Sequence, residues 1–267
     1  MIITSDDAGM CKAVNEGTIL AMQSGLVSTT SIMTCCPEYE AFAEFALNHP
    51  EHDYGVHLVL TCDLRELPWG PITGMKTVPS LTGGDGNFYL WPPQNVDYGE
   101  ARLELKAQID RALNSGIRIS HLDHHMWVMF HSPEMLSLYV ELGMEYNLPI
   151  RFCRTAPDRL SNNPQFLKEY KRKIRILENN GFPVLDFIEY RNYSVEPGKK
   201  REYYLDQIHK LPIGISEFNI HCSLIDDQIN PPDVEKRLSD LQFFSSGEAS
   251  TEFQQCRIEQ IDWEHFR

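Results

Sequence analysis

The sequence predicts an α/β fold arranged as a (β/α) barrel. About eight short apolar, strand-like segments alternate with amphipathic helical stretches along the chain. A length of 267 residues suits one large barrel core. Asp7, His57, His125 and His221 fall at or just beyond the C-terminal halves of strand candidates, where a barrel gathers its chemistry. An open doubly wound sheet gives a similar alternation, so both architectures remain open on periodicity alone.

Residues 1–4 form a short apolar strand, and Ser5-Asp6-Asp7-Ala8-Gly9 reads as its exit. A helix over 13–24 carries Ala13, Val14, Gly17, Leu20 and Ala21 at helical spacing, and Gly25 stops it. A strand over 28–35, a helix opened by Pro37 and a strand over 54–60 repeat the unit. Next comes an irregular section at about 61–95, rich in Gly, Pro and aromatic residues. Unstructured insertions of that length are frequently lids or binding loops, and this is the one stretch that could form a subdomain of an otherwise single domain spanning 1–267. The alternation then resumes: helix 98–114, strand 117–122, a helix after Pro133, a strand at 149–152, helix 164–179 and strand 184–188. A helix at 201–211, a strand at 215–222, a helix opened by Pro231-Pro232 and a strand-like 257–261 complete the series.

Composition narrows the function classes. The 24 Lys and Arg against 38 Asp and Glu give a formal net charge of -14, which disfavours nucleic acid as a partner and suits a neutral or cationic small molecule. No apolar run approaches the roughly 18 residues of a membrane span, so no membrane partner is expected and a cytoplasmic location is the default. The seven cysteines lack C-x-x-C pairing and read as reduced, mostly buried residues. A homo-oligomeric state is compatible with all of this.

The polar residues within apolar strands carry the chemical reading. Asp6 and Asp7 are adjacent carboxylates after the first strand: one can bind a cation while the other takes a proton, or either can simply cap the following segment. His57 lies in the otherwise apolar Tyr54-Gly55-Val56-His57-Leu58-Val59-Leu60, where a hydrogen-bonded core histidine is the plain alternative to a ligand. His121, Asp123 and His125 alternate, so period two puts them on one face while the strand lasts. Glu217, Asn219 and His221 form a second alternating series. Buried polar groups need partners, and several on one face make either a functional site or a stiffening network. Asp7, His57 and His125 would give an N2O ligand set for one divalent metal ion, better suited to zinc than to magnesium; a 2-His-1-carboxylate iron site has the same ligand types.

The chain resembles the YdjC-like carbohydrate deacetylases, which include chitooligosaccharide deacetylases. The resemblance rests on Thr4-Ser5-Asp6-Asp7-Ala8-Gly9, Ala13-Val14-Asn15-Glu16-Gly17, Gly25-Leu26-Val27-Ser28-Thr29-Thr30-Ser31, Gly55-Val56-His57-Leu58, His121-Leu122-Asp123-His124-His125, Arg151-Phe152-Cys153-Arg154 and Glu217-Phe218-Asn219-Ile220-His221, in order over about four fifths of the sequence. It implies a distorted (β/α) TIM-like barrel of the glycoside hydrolase/deacetylase type and metal-dependent removal of acetyl groups from N-acetylated sugars. In those terms Asp6 is the general base, His221 the general acid, and Asp7, His57 and His125 the ligands of zinc or magnesium. Arg154 would orient an acid or bind substrate, while His121, Asp123 and Glu217 would support the ligands. Two positions depart from the family pattern: Trp127 stands where a second His is common, and Cys222 where Pro commonly follows the acid histidine. Trp127 can stack on a ligand but cannot bind metal or act as a base. Trp69 and Trp91, in the long insertion, are the other expected sugar-packing faces. Hydrolysis of a different amide or ester, and sugar binding without turnover, are the alternative functions.

Overall fold

The computed structural model describes residues 1–91, 95–160 and 163–267; residues 92–94 of the long insertion lie outside the described residues. The chain runs β1 (Ile2–Ala8), α1 (Lys12–Gln23), β2 (Thr29–Ile32), α2 (Tyr39–Asn48), β3 (Asp53–Leu58), α3 (Tyr98–Asn114) and β4 (Ile119–His124). It continues through α4 (Pro133–Tyr146), α5 (Pro164–Asn179), β5 (Phe187–Glu189), α6 (Lys200–His209), β6 (Ser216–His221), α7 (Val234–Phe244) and α8 (Gly247–Gln255). The six strands form one sheet in the order β4-β3-β2-β1-β6-β5, and every pairing within it is parallel. Parallel strands covered by helices are buried on both faces. β1 shows this, since all seven of its residues are buried.

Residues 149–154 join the two edges of the sheet. Arg151 N–H donates to the Leu122 carbonyl (2.9 Å) on the β4 side, and Leu185 N–H donates to the Phe152 carbonyl (2.8 Å) just before β5. Isolated parallel bridges Leu122–Ile150 and Cys153–Leu185 mark the same two seams. The sheet is therefore a distorted barrel with seven strand positions, in agreement with the fold class expected from the sequence.

The eighth expected strand, 257–261, is absent. The segment meets the chain just before β1 at Met1, where Ile261 N–H donates to the Met1 carbonyl (2.9 Å) and the Met1 amino group donates to the Glu259 carbonyl (2.7 Å). The chain then crosses the N-terminal ends of the strands and plugs them with Trp263. Its backbone N–H donates to Asp53 (3.0 Å), and its indole stacks on His121 at 4.8 Å between centroids. His121 thus belongs to the barrel floor. Gly55 leaves room for it, because a Cβ there would come within 2.4 Å of the His121 ring. α8 was not anticipated either: Gly247-Glu248-Ala249-Ser250 offers weak helical periodicity, but Ser246 caps the helix by accepting from Ala249 N–H.

The described part of the insertion is pinned to the barrel at several points. Cys62 N–H donates to the Tyr89 carbonyl (3.0 Å). Glu104 on α3 accepts from the Ile72 and Thr73 backbone N–H groups at 3.1 and 3.0 Å. Leu64, Trp69, Val78, Leu81 and Phe88 are buried in the same core as the helices. All seven cysteines are free thiols.

Candidate metal centre and its cleft

Successive strand residues point to opposite faces, so Asp6 and Asp7 could not normally share a site. β1 makes them do so by a break in register against β2 between Ser5 and Ala8, with Asp7 in the left-handed region at φ +74. Aspartate tolerates that conformation better than most residues. Both carboxylates are then buried at the C-terminal end of the strand.

Three ligand-type atoms converge above them. Asp7, His57 and His125 each bring one such atom, all within 4.8 Å of one another. Asp7 Oδ1 stands 3.3 Å from His57 Nε2 and 3.0 Å from His125 Nδ1. Each histidine is held by a carboxylate on its outer nitrogen: His57 Nδ1–H donates to Asp123 Oδ1 (2.7 Å), and His125 Nε2–H donates to Asp63 Oδ1 (2.9 Å). That arrangement is the usual support for metal-bound imidazoles. Arg237 donates to the other Asp7 oxygen, Oδ2, at 2.7 Å, leaving Oδ1 directed at the histidines.

The electrostatics favour positive charge at the point of convergence. Burial alone would lower the His57 imidazole, but Asp123 and Asp6 outweigh it and raise the ring to about 9. Burial likewise opposes charge on His125, yet Asp63 and Asp7 hold it well above the ordinary histidine range. For Asp7, burial pushes the carboxyl up while Arg237 and His125 bring it well below the usual carboxylate value. The protons on the inner nitrogens stand where a cation would replace them, so the donor set and its charge fit a divalent ion.

Asp6 is oriented differently. Arg151 grips it with two bonds, Nη1 to Oδ2 at 2.9 Å and Nη2 to Oδ1 at 2.8 Å, and Asn219 also donates to Oδ2. His57 Nε2 is 3.8 Å away. Arg151 is itself shared among carboxylates: Nε donates to Glu217 Oε1 (3.0 Å), and Nη2 lies 2.8 Å from Asp123 Oδ2. Thr4 donates to Glu217 and Ser31 to Asp123, completing a buried network under the cleft. His221 faces the cluster from β6, its Nε2 4.0 Å from Asp7 Oδ2. Burial lowers its imidazole, with Asp7 pulling the other way.

The cleft above holds about 440 Å³ and is lined by Asp6, Asp7, Asp63 and His221 together with Trp91, Trp127, Phe130, Tyr190 and Tyr193. Trp127 forms part of the aromatic wall, edge-on to Tyr190 at 4.7 Å. Met126 and Trp127 both have positive φ, 50° and 58°, which turns the chain sharply after His125. Trp91 sits on the rim, 61% exposed.

Two expected substrate residues lie elsewhere. Arg154 is half exposed on the outside of the barrel, bonded to Glu178 and to Asp186 at 2.9 Å; the arginine that enters the cleft is Arg151. Residues 151 and 153 point inward and 154 outward, so period two separates the two arginines. Trp69 is 3% exposed, and its indole N–H donates to the Thr61 carbonyl (2.8 Å). It anchors the insertion and offers no face to a sugar. Asp63 and Arg237 gave no sequence signal, since neither belongs to a strand pattern.

A parallel α/β barrel with an Asp-His-His cluster at the C-terminal ends of its strands defines a scaffold able to hold a metal ion, here with a gripped aspartate beside it. The chain belongs to the YdjC-like protein family, which it matches over residues 1–255. A carbohydrate deacetylase of Geobacillus stearothermophilus is 34% identical over 172 residues, 63% of this chain and 66% of that one. One from Brevibacillus brevis is 33% identical over 154 residues, 57% of this chain and 58% of its own length. One from Thermoanaerobacter pseudethanolicus is 26% identical over 232 residues, 86% and 83%. The chain therefore spans less than two thirds of the length of the first two relatives. The crystal structure of an Enterococcus faecalis protein described as a cellobiose-phosphate cleavage protein superposes with a TM-score of 0.82 at 25% identity, covering 99% of this chain and 97% of that one. A lactam utilization protein from Thermus thermophilus shares the fold alone, with a TM-score of 0.51 at 12% identity over 97% of this chain and 99% of its own.

Proposed function

We propose that this protein is a metal-dependent hydrolase that removes an acetyl group from an N-acetylated amino sugar or short chitooligosaccharide. The observation that carries the reading is the convergence of Asp7, His57 and His125 beside an Asp6 carboxylate fixed by Arg151. The carbohydrate deacetylases among its relatives support the substrate class. Asp7, His57 and His125 would hold one divalent ion, and two nitrogens with one oxygen favour zinc over magnesium. When bound, such an ion polarises an acyl carbonyl and lowers the pKa of water.

The residues divide the remaining work. Asp6, held by two guanidinium bonds, accepts a proton from the attacking water. Arg151 keeps that carboxylate aimed, and Asp123 and Asp63 keep the histidine rings turned inward. His221, across the cluster, donates to the departing amine. Its burial favours the neutral ring, so it must gain that proton within the cycle. Trp127 and Trp91 present ring faces to a sugar while the carboxylates lining the cleft meet hydroxyl groups. A neutral sugar also avoids repulsion by the net charge of -14.

Acetate release by zinc- or magnesium-loaded protein tests the assignment, using N-acetylglucosamine, its β-linked dimer and trimer, and an aryl acetamide. Release from the sugars, with higher kcat/KM for dimer and trimer than for the aryl compound, is expected. Hydrolysis of the aryl acetamide without any sugar turnover would replace the sugar assignment by a broader amide hydrolase. Sugar binding without acetate release would leave a binding protein.

A further inference from the structure

His57 and His125 are supported from different sources. His57 is inside β3, and its partner Asp123 comes from the adjacent strand β4, opposite it in register. His125 lies just beyond β4, where Met126 and Trp127 turn the chain through two left-handed conformations. Strand packing does not fix its ring. The carboxylate on its outer nitrogen comes instead from Asp63, near the start of the insertion, at 2.9 Å.

The insertion is built to hold Asp63 there. Trp69 N–H donates to Cys62 Sγ (3.4 Å), and Trp69 Nε1 donates to the Thr61 carbonyl (2.8 Å), so both residues before Asp63 are tied. The Trp69 ring also stands 6.5 Å from the His125 ring, tilted by 65°. Glu104 clamps the far side of the same segment to α3. Asp63 bonds the nitrogen facing away from Asp7, which sets it apart from the three converging groups.

We propose that Asp63 is a positioning residue that accepts a hydrogen bond from His125 Nε2–H and leaves Nδ1 as the atom that binds metal. This rests on reading Asp7, His57 and His125 as a metal centre. The insertion then serves the centre from outside the barrel, with Trp69 as the buttress of Asp63. An imidazole has two tautomers, and a charged acceptor on one nitrogen selects which remains free.

The test compares wild-type protein with Asp63→Ala and Asp63→Asn by zinc competition titration and by ¹⁵N-histidine NMR of the zinc-loaded forms. Wild-type protein should show His125 protonated at Nε2 and zinc-bound at Nδ1. Asp63→Ala should bind zinc about 10- to 100-fold more weakly, the range for losing an outer partner of a ligand, and its His125 Nε2–H, no longer held by a carboxylate, should exchange with water faster than in the wild type. Asp63→Asn keeps an acceptor oxygen without the charge and should fall between, at about fivefold weaker. At saturating zinc kcat should fall in the order wild type, Asn, Ala while KM stays near wild type. Zinc binding and His125 Nε2–H exchange unchanged in Asp63→Ala would overturn this proposal and leave the metal centre standing. Wild-type protein that binds no zinc would overturn both. If Asp63→Ala does not fold, Asp63→Asn decides, and an unchanged affinity and Nε2–H exchange there overturns the proposal.

Discussion

His57→Ala should lose its divalent cation and with it all measurable acetate release. Removing an outer partner of a ligand costs 10- to 100-fold in affinity, so removing a ligand should exceed about 100-fold. The loss is compounded because Asp7 Oδ1 would keep only His125 beside it. Competition titration against a chelator checks the result, and its pH dependence carries an independent sign. A histidine binds metal only when its ligating nitrogen is deprotonated. Because the metal-free His57 ring is raised to about 9, binding below that pH must expel a proton. Zinc affinity of the wild-type protein should therefore tighten as pH rises from 6 towards 9. Affinity that is flat over this window, or retained in His57→Ala, would show that the ion sits elsewhere.

Asp6→Asn is the second large effect, and it separates the base from the ligands. Zinc occupancy should be unchanged, while kcat should drop by about 10²- to 10⁴-fold, the usual contribution of a general base. The fold should survive the substitution, since Arg151 still meets Glu217 and Asp123 and its charge is not stranded. Steady-state kinetics with metal analysis on the same sample reads both quantities. Loss of zinc from Asp6→Asn would mean that the two aspartates had exchanged roles, and near-wild-type kcat would remove Asp6 from the chemistry.

Much of this site was legible because parallel strands impose period two on what they bury. His57, Asp123 and the Glu217–Asn219–His221 series could be read that way. The pairing of Asp6 with Asp7 could not, because it depends on a register break and a positive φ that a two-residue motif does not announce. Arg151 and Arg154 were distinguishable by parity once the strand at 149–152 was assigned, yet chain order alone favoured the exit position. Trp69 shows the opposite limit: an aromatic residue in a long loop looks the same in sequence whether it faces a ligand or pins the loop. Asp63 and Arg237 reach the site from the insertion and from α7 by tertiary packing, which no local spacing encodes. The strand expected at 257–261 failed for a related reason, as Ile261 packs into the small cluster with Trp263, Ile2 and Leu185 while Ile258 packs against the main core.

The most direct measurement is an anomalous difference map at the zinc absorption edge from crystals of the wild-type protein grown with zinc. A single strong peak about 2.0–2.2 Å from Asp7 Oδ1, His57 Nε2 and His125 Nδ1 is expected. Among the described residues, His49, Glu51 and His52 form another group able to hold an ion, and His209, Glu252 and Cys256 a further one. Zinc at either of those surface groups, with no peak between Asp7 and the two histidines, would contradict the account.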